Sequence, residues 1–337
     1  MEFRYNFASN RAFFYNMKNK IIVILGQTAS GKTELSIRLA KKFRGEIISA
    51  DSRQVYKGLD IGSGKITKQE MQGVPHYLLD VANPKRKFTV SQYQKLALAA
   101  IKKIYSHTRV RGSGDAIPFL VGGTGFYIQS IVDGLVIPEV KPNWKLRKNL
   151  ESKTTDQLFS MLKKLDPGRA ALIDQKNPRR LIRAIEIVMA TGKPVPKTVR
   201  GLTSYSFDIL QIGIKKSPKE LKMLIRKRLQ KRMKRIITEV KKLHANGLSY
   251  KRLEELGLEY RFVAQYIQGK PFGALRHDFG QAAQGKLTYK QMIEKLQKEI
   301  EHYAKRQMTW FKRDKRIHWI KNYEEAKIVI DNFLNII

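Results

Sequence analysis

Eight consecutive residues, Gly26-Gln27-Thr28-Ala29-Ser30-Gly31-Lys32-Thr33, follow the pattern G-x-x-x-x-G-K-[ST] in full. The chemistry such a run supports is capture of a polyphosphate. Its glycines let the backbone wrap closely, and successive N–H groups with a helix N-terminus point at phosphate oxygens. Lys32 brings a mobile positive charge to the terminal phosphates, and the Thr33 hydroxyl is placed to ligate Mg²⁺. The motif identifies a bound polyphosphate and leaves the reaction open. A conventional nucleotide hydrolase adds an apolar strand ending in Asp to hold the magnesium. Here Phe119-Leu120-Val121 runs into Gly122-Gly123-Thr124-Gly125 instead, and the alternative, Tyr77-Leu78-Leu79-Asp80, follows directly on Pro75-His76. Hydrolytic machinery of the usual kind is not evident.

Asp51 follows the apolar run Ile47-Ile48-Ser49-Ala50 and precedes Ser52-Arg53-Gln54. In open parallel sheets ligands sit beyond the carboxyl ends of strands, which would put this carboxylate beside the phosphate loop. Three roles compete there: general base, a group holding magnesium through its outer shell, or a helix N-cap without chemical importance. The amide of Gln54 suits a base edge. Thr124 either hydrogen-bonds a substrate or caps the next helix, and Arg179, Arg180 and Arg183 share a helix face suited to phosphate or to solvent. Six scattered histidines show no metal spacing, and His76 reads as structural. Lys305-Arg306-Gln307 with Trp310-Phe311 either contacts RNA or packs the C-terminal helix on the core.

The elements that must position these groups follow from hydrophobic patterning. Lys20 to Leu25 reads as a buried strand, and the phosphate loop opens a helix to about Phe43 with Leu35, Ile37 and Leu39 toward a sheet. Glu46 to Ala50 and Pro118 to Val121 read as two more strands. Between them Ser91 to Tyr105 reads as a helix, with Leu96, Ala99, Ala100 and Ile104 at helical spacing. Strand, loop, helix and strand in that order imply a parallel α/β sheet with right-handed crossovers. From Pro138 onward short helical pieces are punctuated by prolines, an inserted helical domain spanning 138–205. Ser217-Pro218-Lys219-Glu220 is a capping box opening a long helix to near Gly247. That helix buries Leu221, Leu224, Ile225, Leu229, Ile236, Val240 and Leu243. A second long helix runs from about Thr288 to Phe311. The expected organisation is thus an extension over 1–16, with Met17 a possible start, a catalytic core formed by 17–137 and 206–337, and the insertion between.

In 337 residues there are 66 Lys+Arg against 29 Asp+Glu, a formal charge of +37. A field of that sign recruits phosphate-rich partners. Over 215–242 thirteen basic residues face only Glu220 and Glu239, which favours nucleic acid for that segment even where total charge reflects composition. The absence of cysteine excludes disulfides, thiolate catalysis and cysteine-based zinc sites. No apolar run reaches the roughly 18–20 residues of a membrane span, so a soluble, cytoplasmic protein is expected.

Taken in order, GQTASGKT at 26–33, ADSRQVYKGLDIG at 50–62, GVPHYLLD at 73–80, FLVGGTGFY at 119–127, DPGRAALIDQKNPRRLIRAIEI at 166–187 and YAKRQMTWFKR at 303–313 resemble the tRNA dimethylallyltransferases. The resemblance implies a P-loop core with a helical insertion that grips the anticodon stem. It also implies transfer of a dimethylallyl group from its diphosphate to N6 of the adenosine 3′ to the anticodon. Carried onto this chain, Gly26, Gln27, Thr28, Ala29, Ser30, Gly31, Lys32 and Thr33 hold the diphosphate, with Thr33 on Mg²⁺. Asp51 is the general base, and Asp51, Ser52, Arg53 and Gln54 touch the target nucleotide. Thr124, Arg147 and the segment 177–184, with Arg179, Arg180 and Arg183, contact tRNA. Arg228 and Arg232 are the candidates for the diphosphate, in a helix one residue short of the family spacing. Ser63-Gly64 and Lys312 depart from the commoner Thr-Ala and Arg. The expected partners are tRNA and dimethylallyl diphosphate, with no membrane, and the expected state is a monomer. Alternatives left open by the residues are an ATP-dependent kinase, a prenyltransferase of free adenine nucleotides, and a non-catalytic RNA-binding NTPase.

Overall fold

The structure, a computed structural model, describes residues 19–111, 116–196, 207–270 and 286–335. The extension 1–16 lies outside them. The chain divides into two compact units, Met1–Val132 with Phe207–Ile337, and Asp133–Ser206.

The first unit is built on a six-stranded parallel sheet in the order β3-β2-β4-β1-β5-β6. Its strands are β1 (Lys20–Gly26), β2 (Gly45–Ala50), β3 (His76–Tyr77), β4 (Ile117–Gly122), β5 (Asp208–Ile214) and β6 (Ile317–Ile320). Every residue of β1 is buried, as a strand covered by helices on both faces requires. Its side chains alternate between two apolar layers. Ile21, Val23 and Leu25 enter one cluster, and Ile22 and Ile24 the other. The three sequence-predicted strands are β1, β2 and β4. Tyr77-Leu78-Leu79-Asp80 contributes only Tyr77 to β3. Leu78 and Asp80 take positive φ, and the Asp80 carboxylate pairs with Lys65 at 2.5 Å rather than facing a phosphate.

Helices α1 (Lys32–Lys42), α2 (Lys68–Met71), α3 (Val90–Arg111) and α4 (Gly125–Val132) accompany the first four strands. Of the four apolar residues at helical spacing in α3, only Ala100 and Ile104 are buried. Leu96 is 38% exposed and Ala99 is also outside the core, while Tyr93, Ala97, Ala100, Ile101 and Ile104 form the buried stripe. The chain buries a face opened by Tyr93, at i, i+4, i+7, i+8 and i+11, and Leu96 falls outside it.

In the second unit, α5 (Trp144–Glu151), α6 (Thr155–Leu165), α7 (Pro167–Ala170) and α8 (Pro178–Thr191) surround their own core of Leu150, Leu158, Leu162, Leu181 and Ile185. Side chains of Asn143, Thr154, Asp166 and Asn177 cap the four helices.

After β5 come α9 (Pro218–Ala245), α10 (Tyr250–Leu256), α11 (Leu258–Ile267), α12 (Tyr289–Phe311) and, after β6, α13 (Tyr323–Leu334). Ser217 caps α9 by accepting from Glu220 N–H at 3.2 Å, whereas the Glu220 carboxylate goes to Lys216 at 2.7 Å rather than back to the Ser217 backbone. Met233 joins the buried stripe of α9, and Leu224 is only half-buried.

Candidate active site

Three parallel strands deliver the site. The loop after β1 leads into α1 with Ala29 at φ 61 and Gly31 at φ 91, left-handed values that bend the backbone into a cradle. Gly31 offers no side-chain cap, so the first-turn N–H groups of α1 keep no such partner. Strand β2 ends at Ala50 and hands over Asp51, and β4 ends at Gly122. Beyond these carboxyl ends lies an open cleft.

One end of the cleft is cationic. Thr28, Ala29, Lys32 and Thr33 line it together with Arg228 from α9. Lys32 Nζ donates to Gln27 O at 2.5 Å. Enclosure of the ammonium, reinforced by the nearby Arg228 guanidinium and opposed by Asp51, pulls the Lys32 pKa down to about 7. Arg228 packs on Gly64, where φ is 66 and a Cβ would overlap the guanidinium. Arg232, one turn on, does not line the cleft but reaches the same glycine. Its Nη2 is buried without a hydrogen-bond partner among the described residues. Burial, then Arg228, lowers its pKa to about 10, with Glu259 among the opposing charges. Burial in turn raises the pKa of Glu259 against the pull of Arg232 and Arg228.

Asp51 lines the same cleft and divides its labour. Its Oδ1 accepts from Arg53 N at 2.8 Å and Gln54 N at 3.3 Å, while Oδ2 has no partner among the described residues. The turn-capping and chemical readings of this residue are therefore compatible, one oxygen for each. Gln54 also lines the cleft and donates to Gly64 O. Thr124 Oγ1 accepts from Ser52 N at 3.0 Å, tying the segment after β2 to the start of α4. The Arg53 guanidinium donates to Ser52 O. Ile47, Ile66, Leu79 and Val121 supply an apolar wall. His76 is there too, bonded through Nδ1 to Val74 O, and burial lowers its pKa.

Not every sequence-predicted residue is gathered here. Arg147, Arg179, Arg180 and Arg183 belong to the second unit. Arg147 grips the buried Glu186 through Nε at 2.8 Å and Nη2 at 2.6 Å. Arg183 adds Nη1 at 2.5 Å and reaches Val140 O. Burial alone would raise the Glu186 pKa, but these arginines and Asn143 N–H outweigh it and hold the carboxyl below the usual range. Arg180 sits 3.8 Å from Asp174, and Arg179 is exposed.

Two supports come from segments distant in the chain, and their bonds to the site leave no local pattern. Gln307 is buried, accepts from Thr28 N at 2.8 Å and donates to Gly123 O at 2.9 Å, so α12 clamps the phosphate loop to the end of β4. Phe311 is buried and Trp310 meets Phe126 edge-on, so these two pack α12 on the core, while Lys305 and Arg306 are exposed. Glu239 accepts from the N–H groups of Asp60, Ile61 and Gly62 and from Tyr260 Oη, fixing the loop that carries Gly64. Its only sequence signal is that it is one of the two acids in the basic stretch.

A family model described as IPP transferase matches residues 54–314. A tRNA dimethylallyltransferase of Anoxybacillus flavithermus is 37% identical over 306 residues, 90% of each chain. A tRNA dimethylallyltransferase 2 of Shewanella sediminis is 39% identical, covering 92% of this chain and 97% of that one. Among solved structures, the tRNA isopentenylpyrophosphate transferase of Bacillus halodurans is similar with a TM-score of 0.64 and 33% identity over 94% of this chain and 96% of that one. A eukaryotic dimethylallyltransferase acting on tRNA gives 0.67 at 27% identity, over 87% and 70%.

Proposed function

The chain belongs to the IPP transferase family, the tRNA dimethylallyltransferases, and from that premise we propose that it moves a dimethylallyl group from dimethylallyl diphosphate to N6 of the adenosine 3′ to the anticodon, with Asp51 as general base. The observation that carries this reading is the pairing of a cationic phosphate cradle with the unpartnered Oδ2 of Asp51, among the described residues, in one cleft. In the transfer, the bond between the donor's first carbon and its diphosphate oxygen breaks as N6 bonds to that carbon. The N6 proton passes to the Asp51 carboxylate, which offsets the poor nucleophilicity of an amine delocalised into the adenine ring. Lys32, Arg228 and the loop N–H groups receive the charge that develops on the departing diphosphate. Ile47, Ile66 and Val121 would cover the hydrocarbon and keep water from it.

Among the described residues no group of three or more His, Cys, Asp or Glu could cage a metal. The oxygen donors present, Thr33 with Asp51 nearby, suit Mg²⁺, which keeps waters and takes its remaining ligands from substrate phosphates. Thr33 would hold it, and its contribution would be to neutralise diphosphate charge. No helix of the described residues is long and apolar enough to cross a membrane. The same reading has the protein acting in the cytoplasm as a monomer, with 133–206 gripping the anticodon stem.

Incubation with unmodified tRNA and labelled dimethylallyl diphosphate, followed by nucleoside mass analysis, tests the reaction. Asp51→Asn tests the base, because an amide oxygen can still accept from Arg53 and Gln54 N–H. The expected result is a fall in kcat of about 10²–10⁴-fold with tRNA binding retained. Turnover near the wild-type rate would remove Asp51 from that role.

A further inference from the structure

Helix α9 enters the cleft through Arg228, yet most of its charge points elsewhere. Nine Lys and Arg side chains of this helix are exposed, running from Lys219 and Lys222 through Arg226, Lys227 and Lys231 to Lys242. At 100° per residue eight of them, all but Lys222, occupy the half of the helix opposite Leu221, Ile225, Leu229, Ile236 and Val240. Among the described residues none of the nine is in an ion pair. The two acids of the helix are both committed, Glu220 to Lys216 and Glu239 to the N–H groups of 60–62 and Tyr260. A solvated helix face ordinarily interleaves both signs, because like charges at i, i+4 repel. This face leaves that repulsion uncompensated from Lys219 to Lys242, a span of about 35 Å at roughly 1.5 Å per residue.

We propose that the outward face of α9 is a phosphate track, a second surface for the backbone of the RNA substrate that continues from the wall of the cleft. The inference rests on the tRNA reading above and adds to it a surface outside the cleft and outside the insertion. A polyanion with regularly spaced charge is the partner that relieves such a row, by replacing its counterions with phosphates. Arg226 and Lys227 directly precede Arg228 in the helix, so backbone seated on the track lies close to the reacting end of the molecule. Lysine and arginine without interleaved aromatics or acids bind the backbone rather than bases, so the track contributes affinity and no sequence preference.

The test compares two variants of the full-length protein with equal reduction of charge. One carries Arg226→Gln, Lys227→Gln, Lys231→Gln and Lys234→Gln on the track. The other carries Lys42→Gln, Lys57→Gln, Lys290→Gln and Lys321→Gln, four exposed lysines on separate parts of the chain. Binding of unmodified tRNA is followed by fluorescence anisotropy across a salt series, independently of turnover. The track variant should weaken binding more than about tenfold and flatten the slope of log Kd against log salt by about three to four, close to one for each phosphate no longer neutralised. The scattered variant should keep most of the wild-type slope. Equal flattening in both would mean bulk charge alone acts, and an unchanged slope in the track variant would leave no track; either overturns the proposal. Weaker binding of the track variant to vesicles rich in anionic lipid, with the tRNA slope intact, would assign the face to a membrane and overturn it as well. Failure of the wild type to prenylate a tRNA that it binds with the expected slope would instead count against the proposed reaction.

Discussion

Lys32 gives the sharpest quantitative consequence of the site. Its ammonium is enclosed beside Arg228, with a pKa of about 7, so above neutrality most free protein carries it uncharged. A diphosphate in the cradle reverses this by placing negative charge against it, and the donor is therefore bound together with a proton. The sign follows: a cationic group whose free pKa is depressed and whose bound pKa is raised makes binding tighter as pH falls, levelling off below the free value. At pH of about 8 roughly a tenth of free Lys32 is charged, and binding should take up about 0.9 proton. Between about pH 7 and pH 9 the affinity for the donor should fall about 50-fold, the ratio of the two protonation factors. The donor's terminal phosphate, whose second pKa is near about 6, is already ionised across that window and adds no slope. Isothermal titration in buffers of different ionisation enthalpy reads the proton uptake directly, and Lys32→Arg, charged throughout, should flatten both curves. An affinity that stays level across the same pH range, or a heat independent of buffer, would refute the claim that Lys32 sits discharged in the empty cradle.

Two further outcomes follow from the packing. Gly64→Ala puts a methyl group into the Arg228 guanidinium at a left-handed backbone position, so the donor KM should rise about tenfold or more, with tRNA binding unaffected. Steady-state kinetics with each substrate varied checks this, and an unchanged donor KM would detach Arg228 from the diphosphate. Glu186→Gln should destabilise the unit 133–206 by about 2–3 kcal/mol in urea unfolding, less than a fully buried pair because Arg147 and Arg183 are partly exposed. Since the Glu186 pKa is depressed, its stabilisation is complete above the ordinary glutamate range and is lost as pH falls through the folded value. The wild-type unit should therefore soften in acid where the Gln variant shows no such step.

What the linear order of residues determined by itself is the chemistry whose parts are neighbours in the chain. The phosphate loop needs a strand, two glycines, a lysine and a threonine close together, and Asp51 needs only a strand ending before it, so both are legible without a partner. Strands β1, β2 and β4 are legible for the same reason, since burial on both faces writes a continuous apolar run. Helix α3 is legible as a helix but not in its buried stripe, because Leu96 and Tyr93 offer competing apolar faces and only the packed layer chooses between them. The supports of the site were decided by tertiary structure alone. Gln307 reaches Thr28 across 279 residues, and Glu239 holds the 60–62 backbone across 177–179. A hydrogen bond to a distant main-chain N–H leaves no periodicity and asks for no particular residue at the donor. Composition and spacing leave Arg228 one cation among thirteen, and the family resemblance singles out both Arg228 and Arg232; only the closed chain puts Arg228 in the cleft wall against Gly64. Local steric and hydrophobic preferences repeat along the chain and can be read there; long-range polar bonds are made once, and exist only after the chain has closed on itself.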